Sequence, residues 1–146
     1  MTHRADTVMD AVATAITGLT TTGNNVFRGR DHASKASGKL PALVLHLGTD
    51  TPNEEASAWP RLYSDLEVEI EVLIDGASGF ESTLLTIREE VTKALRADYT
   101  LGLSFVVEIR EGPAERPQPE DQDSRRFSYA LGWTVTYSRN WDDPSA

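Results

Sequence analysis

Cysteine is absent from this sequence, which removes disulfides, thiolate nucleophiles and Cys-based metal sites together and leaves the redox compartment open. Long apolar runs are missing as well, since none approaches the roughly 20 residues that a membrane-spanning helix needs. The stretch Val8 to Leu19 is broken by Asp10, Thr14 and Thr17, so it does not read as a secretory leader. Positive charge is scarce: 14 Lys and Arg stand against 23 Asp and Glu, a formal charge of −9. Tight nucleic-acid binders carry the opposite sign, because phosphate neutralisation drives their affinity. Glycine-rich phosphate cradles, HExxH, GxSxG and His/Cys metal spacings do not occur. The three histidines are scattered: His3 near the start, His32 in a polar stretch, and His46 between Leu45 and Leu47, where a pleat residue fits better than a base. These exclusions suit a soluble protein made and used in a cytoplasm.

What is present begins with Arg61 to Arg96. Leu66, Val68, Ile70, Val72 and Ile74 alternate with Asp65, Glu67, Glu69 and Glu71, the period of two of a strand with one apolar and one acidic face. A turn at Asp75-Gly76-Ala77 follows, and Ser78-Gly79-Phe80-Glu81 has the form of a capping box. Behind it Phe80, Leu84, Ile87, Val91 and Leu95 make one helical stripe, with Glu89 and Lys93 paired at i,i+4 and Lys93 and Arg96 near the helix C-terminus.

The flanking chain is read in the same way. Thr2 is placed to cap a first helix whose buried stripe is Val8, Ala11, Val12, Ala15, Ile16 and Leu19, with Gly18-Leu19 suiting a left-handed stop. Val26-Phe27-Arg28 starts a strand, residues 31–39 form a polar loop, and Leu40 to Leu47 form a second strand with Pro41 near its start. Thr49 to Ala58 reads as another polar loop. Leu103 to Arg110 is a short strand and Gly112 to Asp123 an acidic, Pro-rich loop. Arg125 to Arg139 is a long strand with Phe127, Tyr129, Leu131, Trp133, Val135 and Tyr137 on one side. Residues 140–146 form a fraying tail that Trp141 can dock. The expected fold is one domain over 1–146 of class α+β: a mainly antiparallel or mixed sheet of about five strands, with two helices packed on one face.

Paired carboxylates invite a search for acid–base chemistry. Asp65, Glu67, Glu69 and Glu71 lie along one strand, however, with neighbours about 6.7 Å apart in a shared environment, whereas a catalytic pair needs two different environments. Each neighbouring pair repels by about 0.6 kcal/mol in bulk water. Arg110 and Arg126, at polar-parity positions of other strands, are the candidates to offset this.

A series of segments carries a family likeness. Gly18-Leu19 is followed by Thr22-Gly23 and Val26-Phe27, then Leu40-Pro41-Ala42-Leu43, then Trp59-Pro60-Arg61 ahead of the alternating strand. Ile87-Arg88-Glu89-Glu90-Val91 and Ala94-Leu95 come next, then Asp98-Tyr99-Thr100-Leu101-Gly102 and a closing Trp133-Thr134-Val135-Thr136-Tyr137. In order and spacing these resemble the tail terminator proteins of long-tailed, lambda-like bacteriophages, also called tail completion or minor tail proteins, over nearly the whole chain. The acidic Pro-rich loop stands outside the likeness.

The resemblance implies a homo-hexameric ring that caps the finished tail tube, ends its polymerisation and presents the surface to which the head joins. It implies partners in the tail tube protein and a head-completion or connector protein, and a place at the neck end of the virion tail after assembly in the host cytoplasm. It implies no catalysis, cofactor, metal, membrane or sequence-specific nucleic-acid binding. The charge split adds to this: residues 1–48 carry five Lys/Arg against three Asp/Glu and the remainder nine against twenty, so a basic side of one copy can meet an acidic side of the next, as a heterologous ring contact requires. Arg28, Arg30, Trp59 and Arg61 are the candidate subunit-interface residues, with local packing of Trp59 the more ordinary outcome. Asp65, Glu67, Glu69 and Glu71 are the candidate lumen-facing row, easing DNA passage by repulsion. Residues 31–39, 49–58 and 112–123 are the segments expected to order on assembly. The alternatives are another neck or head–tail joining protein, and a small-molecule-binding or enzymatic α+β domain with a concave pocket.

Overall fold

The protein was analysed as a computed structural model that describes residues 2–29, 40–76, 78–119 and 126–146. Its elements are α1 (Arg4–Ala15), β1 (Val26–Arg28), β2 (Ala42–Ala58), β3 (Arg61–Asp75), α2 (Phe80–Arg96), β4 (Val106–Ala114), β5 (Gln118–Pro119) and β6 (Arg126–Asn140). The strands form one six-stranded sheet in the order β1-β2-β3-β6-β4, with β5 also on β6. β1 runs parallel to β2 and the other pairings are antiparallel. This is the expected α+β class, with a mixed sheet one strand larger than anticipated.

β3 is central because its period of two is unbroken. It pairs with β6 from Arg61 opposite Asn140 to Asp75 opposite Arg126 without a register shift. Strict alternation then sends Leu66, Val68, Ile70 and Val72, with Leu131, Trp133, Val135 and Tyr137, to one face. Both helices cover that face: Val8, Met9, Val12 and Ile16, with Leu84, Ile87, Val91 and Leu95, are buried in the same apolar cluster. Phe80 stacks on Phe127 at 4.5 Å between ring centroids. Among the described residues the opposite face carries a small apolar cluster at one end, where Ala42, Val44 and Leu73 pack under Phe27 and Leu40.

Several local expectations are corrected. His3, not Thr2, caps α1, its Nδ1 accepting from the Ala5 amide at 3.0 Å, and Met9 joins the buried stripe. The Ser78 capping box does not form. The N-cap of α2 is Gly79, in the left-handed region with φ 81° and no side-chain cap bond, because the helix starts one residue later than a Ser78 cap requires. β4 sits three residues further along than expected, since Leu101 and Gly102 both adopt positive φ and prolong the preceding turn.

The largest correction concerns Thr49 to Ala58. This segment is strand, the outer half of a 17-residue β2. Its pairing with β3 continues from Asp50 opposite Leu66 to Asn53 opposite Tyr63, after a shift between Leu47 and Asp50. Gly48 sits at that shift, where a Cβ would lie 2.6 Å from the Glu67 carbonyl oxygen. The tail, expected to fray, folds back against α1, with the Arg4 amide donating to the Pro144 carbonyl at 2.9 Å.

Candidate functional site

The face of the sheet opposite the helices carries the acidic row, and register decides what each carboxylate meets. Asp65 lies opposite Thr136 on β6, accepts from the Thr136 hydroxyl and pairs with Arg110 at 3.5 Å. Arg110 also holds Glu108 at 3.0 Å. At the other end Glu71 pairs with His46 Nε2 at 3.2 Å and accepts from the Ser128 hydroxyl at 2.6 Å. Of the two expected offsetting cations, Arg110 reaches the row, while register sets Arg126 opposite Asp75. Glu67 and Glu69 occupy the middle, facing Thr134 and Gly132. Both are exposed, and among the described residues neither has a cationic partner.

A trough of about 380 Å³ lies over this central pair, lined by Gly48, Gly112, Gly132, Glu67, Glu69 and Glu115. Its glycines are there for a steric reason. A Cβ on Gly132 would lie 3.0 Å from the Pro113 carbonyl oxygen, and one on Gly112 would lie 3.1 Å from the Gly132 oxygen. Neighbouring backbones therefore approach closely where β4 shifts register between Glu111 and Ala114. Small residues and a bulge on each flanking strand leave the depression that the row of carboxylates overlooks.

The second surface is the tip of the β2–β3 hairpin. Trp59 is 78% exposed and Trp141 40% exposed, so Trp59 does not pack locally as expected. The Trp141 amide donates to the Pro60 carbonyl at 2.7 Å, and Arg139 Nη1 donates to the Asn140 and Trp141 carbonyls at 3.1 and 3.3 Å. Arg4 braces the same end, donating to the Ser138 carbonyl at 2.7 Å and lying 4.4 Å from the Phe105 ring centroid. Burial, and then the like charge of Arg61, lower the Arg4 pKa. Arg61 is exposed, and among the described residues no carboxylate pairs with it.

The four candidate interface residues are not brought together. Arg28 lies on β1 and is already bonded within the chain, to Asp6 at 3.0 Å and Asp10 at 2.6 Å. Its register partner Leu45 is opposite Ile70, nine residues or about 30 Å along β3 from the tip. Arg30 lies outside the described residues, as do residues 31–39 and 120–123 of the expected assembly loops.

Sequence reasoning missed one network, in which the exposed Asp50 receives two buried hydroxyls. The Tyr137 hydroxyl donates to Asp50 at 2.6 Å, and the Ser64 hydroxyl donates to the same carboxylate. Burial, then the Asp50 carboxylate, push the Tyr137 pKa well above its ordinary value. Nothing in the Gly48-Thr49-Asp50 segment announces this, because the partners come together only through the β2 register shift.

No family model and no curated protein sequence matches this chain. One solved chain, from the virion of a native gene transfer agent particle, overlays on it with a TM-score of 0.46 and 16% identity, covering 93% of this chain and 88% of that one. At that TM-score the shared path is partial, and the functional reading rests on this chain's own residues. Among the described residues, no helix is long and apolar enough to cross a membrane, and no three His, Asp or Glu side chains converge as a metal site.

Proposed function

We propose that this chain is a structural protein of a phage-type virion that acts by assembly rather than catalysis. In this reading copies form a closed ring, six by the family likeness, that caps the tail tube at its neck end, stops tube growth and offers the head its joining surface. The observation that carries it is the ordered series of segments from Gly18-Leu19 to Trp133–Tyr137 that resembles tail terminators. The geometry supports it in one respect. The exposed aromatic and basic hairpin tip and the acid-lined trough are two different surfaces, and a ring needs two different patches that fit each other.

The test is electron microscopy of tail tubes polymerised with and without the purified chain. Capping predicts tubes of bounded length with extra density at one end; tubes that lengthen regardless, with bare ends, refute it. A second reading follows from the trough volume, which is within the range of ligand pockets. A thermal-shift screen of cationic metabolites and metals addresses it, since a specific ligand there would favour a binding domain over a ring component.

A further inference from the structure

We propose that the Trp59-Pro60-Arg61 tip of one copy seats in the trough of the next, the indole filling the depression and the Arg61 guanidinium lying between Glu67 and Glu69. The inference rests on the reading that copies of this chain assemble with one another, and it names the surface each copy offers.

Four observations lead to it. Trp59 is a large apolar side chain left 78% exposed, and Trp and Arg are the residue types that anchor interfaces. The backbone of the tip is held in place, with the Trp141 amide bonded to the Pro60 carbonyl and Arg139 to the Trp141 carbonyl, so docking need not order the loop itself. The trough, at about 380 Å³, has room for an indole, which buries roughly 150–250 Å² when enclosed. Finally, the charges are complementary and unsatisfied. Among the described residues Arg61 lacks a carboxylate and sits beside Arg4, Glu67 and Glu69 lack salt-bridge partners, and Glu115 adds a third acid. Asp143, in the tail beside the tip, is engaged by the Ser145 amide and hydroxyl.

The contact cannot close within one chain. Arg61 and Glu67 are six residues apart on the same extended strand, about 20 Å. Each copy thus offers a tip and a trough at separate places; a reciprocal pair would engage both at once, and in the ring reading two neighbours engage them in series. The serial arrangement is a head-to-tail contact, which closes into a ring when the rotation allows. It also gives Glu67 and Glu69 a different role from lining the hole: they receive the neighbour's cation.

Charge exchange tests this by sedimentation velocity over a range of concentrations. Arg61→Glu, and separately Glu67→Arg with Glu69→Arg, should each raise the concentration needed for assembly at least about tenfold, and the three changes combined should recover most of it. Association unmoved by either reversal, a combined variant no better than its parents, or a wild-type chain monomeric at every concentration overturns the proposal. The cysteine-free background allows a second readout. Arg61→Cys with Glu67→Cys should give covalent multimers longer than dimers on oxidation, which neither single variant can form; dimers at most, with swap-insensitive association, count against the contact. Rings that obey the charge exchange but leave tube growth unchecked refute tail capping and leave this contact standing. Capped tubes with swap-insensitive rings do the reverse.

Discussion

Gly48→Ala tests the structural premise beneath the hairpin, because the tip stands where it does only if the outer half of β2 stays on β3. A methyl at this position would sit 2.6 Å from the Glu67 carbonyl oxygen and 3.0 Å from the Glu67 Cβ. The obstructing atom is backbone of the central strand, which is pinned on its other side by β6, so relief must come from β2 moving away. Overpacking of this kind costs about 1–3 kcal/mol. At about 3–4 °C per kcal/mol for a chain of this size, the expected fall in Tm is about 3–12 °C by calorimetry. The loss should also be local. Hydrogen exchange should speed up at the amides of Asp50, Thr51 and Asn53, beyond the shift, while Leu43 to Leu45, held between β1 and β3, stay protected. A variant that melts within a degree of wild type with unchanged exchange at Asp50, Thr51 and Asn53 would refute the account of Gly48 and the strand it permits.

Other substitutions check separate features. Ser78→Ala should change stability by less than about 0.5 kcal/mol in urea unfolding, whereas loss of a true cap costs about 1 kcal/mol; Gly79→Ala, at φ 81°, should cost about 1–2 kcal/mol. Glu90→Ala removes the acceptor of the Thr21 amide, at 2.9 Å, and of the Thr21 hydroxyl, and should cost about 1–3 kcal/mol, read as a shift of the urea midpoint at constant slope. Tyr137→Phe should alter the alkaline limb of stability. The unfolded chain releases the phenolic proton near pH 10 while the folded chain keeps it, so stability falls as pH rises through that region. Urea unfolding at pH 9 and 11 should show a shallower decline for the Phe variant, and an identical decline would remove Tyr137 as its source.

Where an element meets the core on one side and water on the other, its period is visible in the sequence. This is why β3, α2 and the inward side of β6 could be read directly, down to Leu84, Ile87, Val91 and Leu95. The outer half of β2 has no such contrast. It extends past the helices, both its faces are largely wet, and Thr49 to Glu55 are all exposed, so only pairing with β3 makes it a strand. β4 fails for a related reason. Its buried residues Val106 and Ile109 are three apart because a register shift between Val106 and Glu108 interrupts the alternation. The candidate site was legible in the same measure. That four acids share a face follows from spacing alone. Which two are left without a side-chain partner among the described residues depends on Arg110 reaching across β6 and His46 bonding Glu71, and register of that kind is not a local property. The exposure of Trp59 was likewise hidden, since an aromatic beside a proline reads as a packed turn unless the length of the hairpin is known.

The pattern of compensation along the acidic row bears on what that face does. A surface built only to repel a polyanion gains from every carboxylate and has no use for the Arg110 ion pair at one end or for the His46 and Ser128 hydrogen bonds at the other. Among the described residues such side-chain partners stop at the two positions that overlook the trough. In water the repulsion left between Glu67 and Glu69 is small, about 0.6 kcal/mol before screening, so an isolated copy tolerates it. Covering the trough with an apolar group alone would desolvate both carboxylates and raise that cost severalfold. Whatever covers this face must therefore bring a cation with its apolar surface, and on this chain the hairpin tip carries both, with Trp59 and Arg61 flanking Pro60.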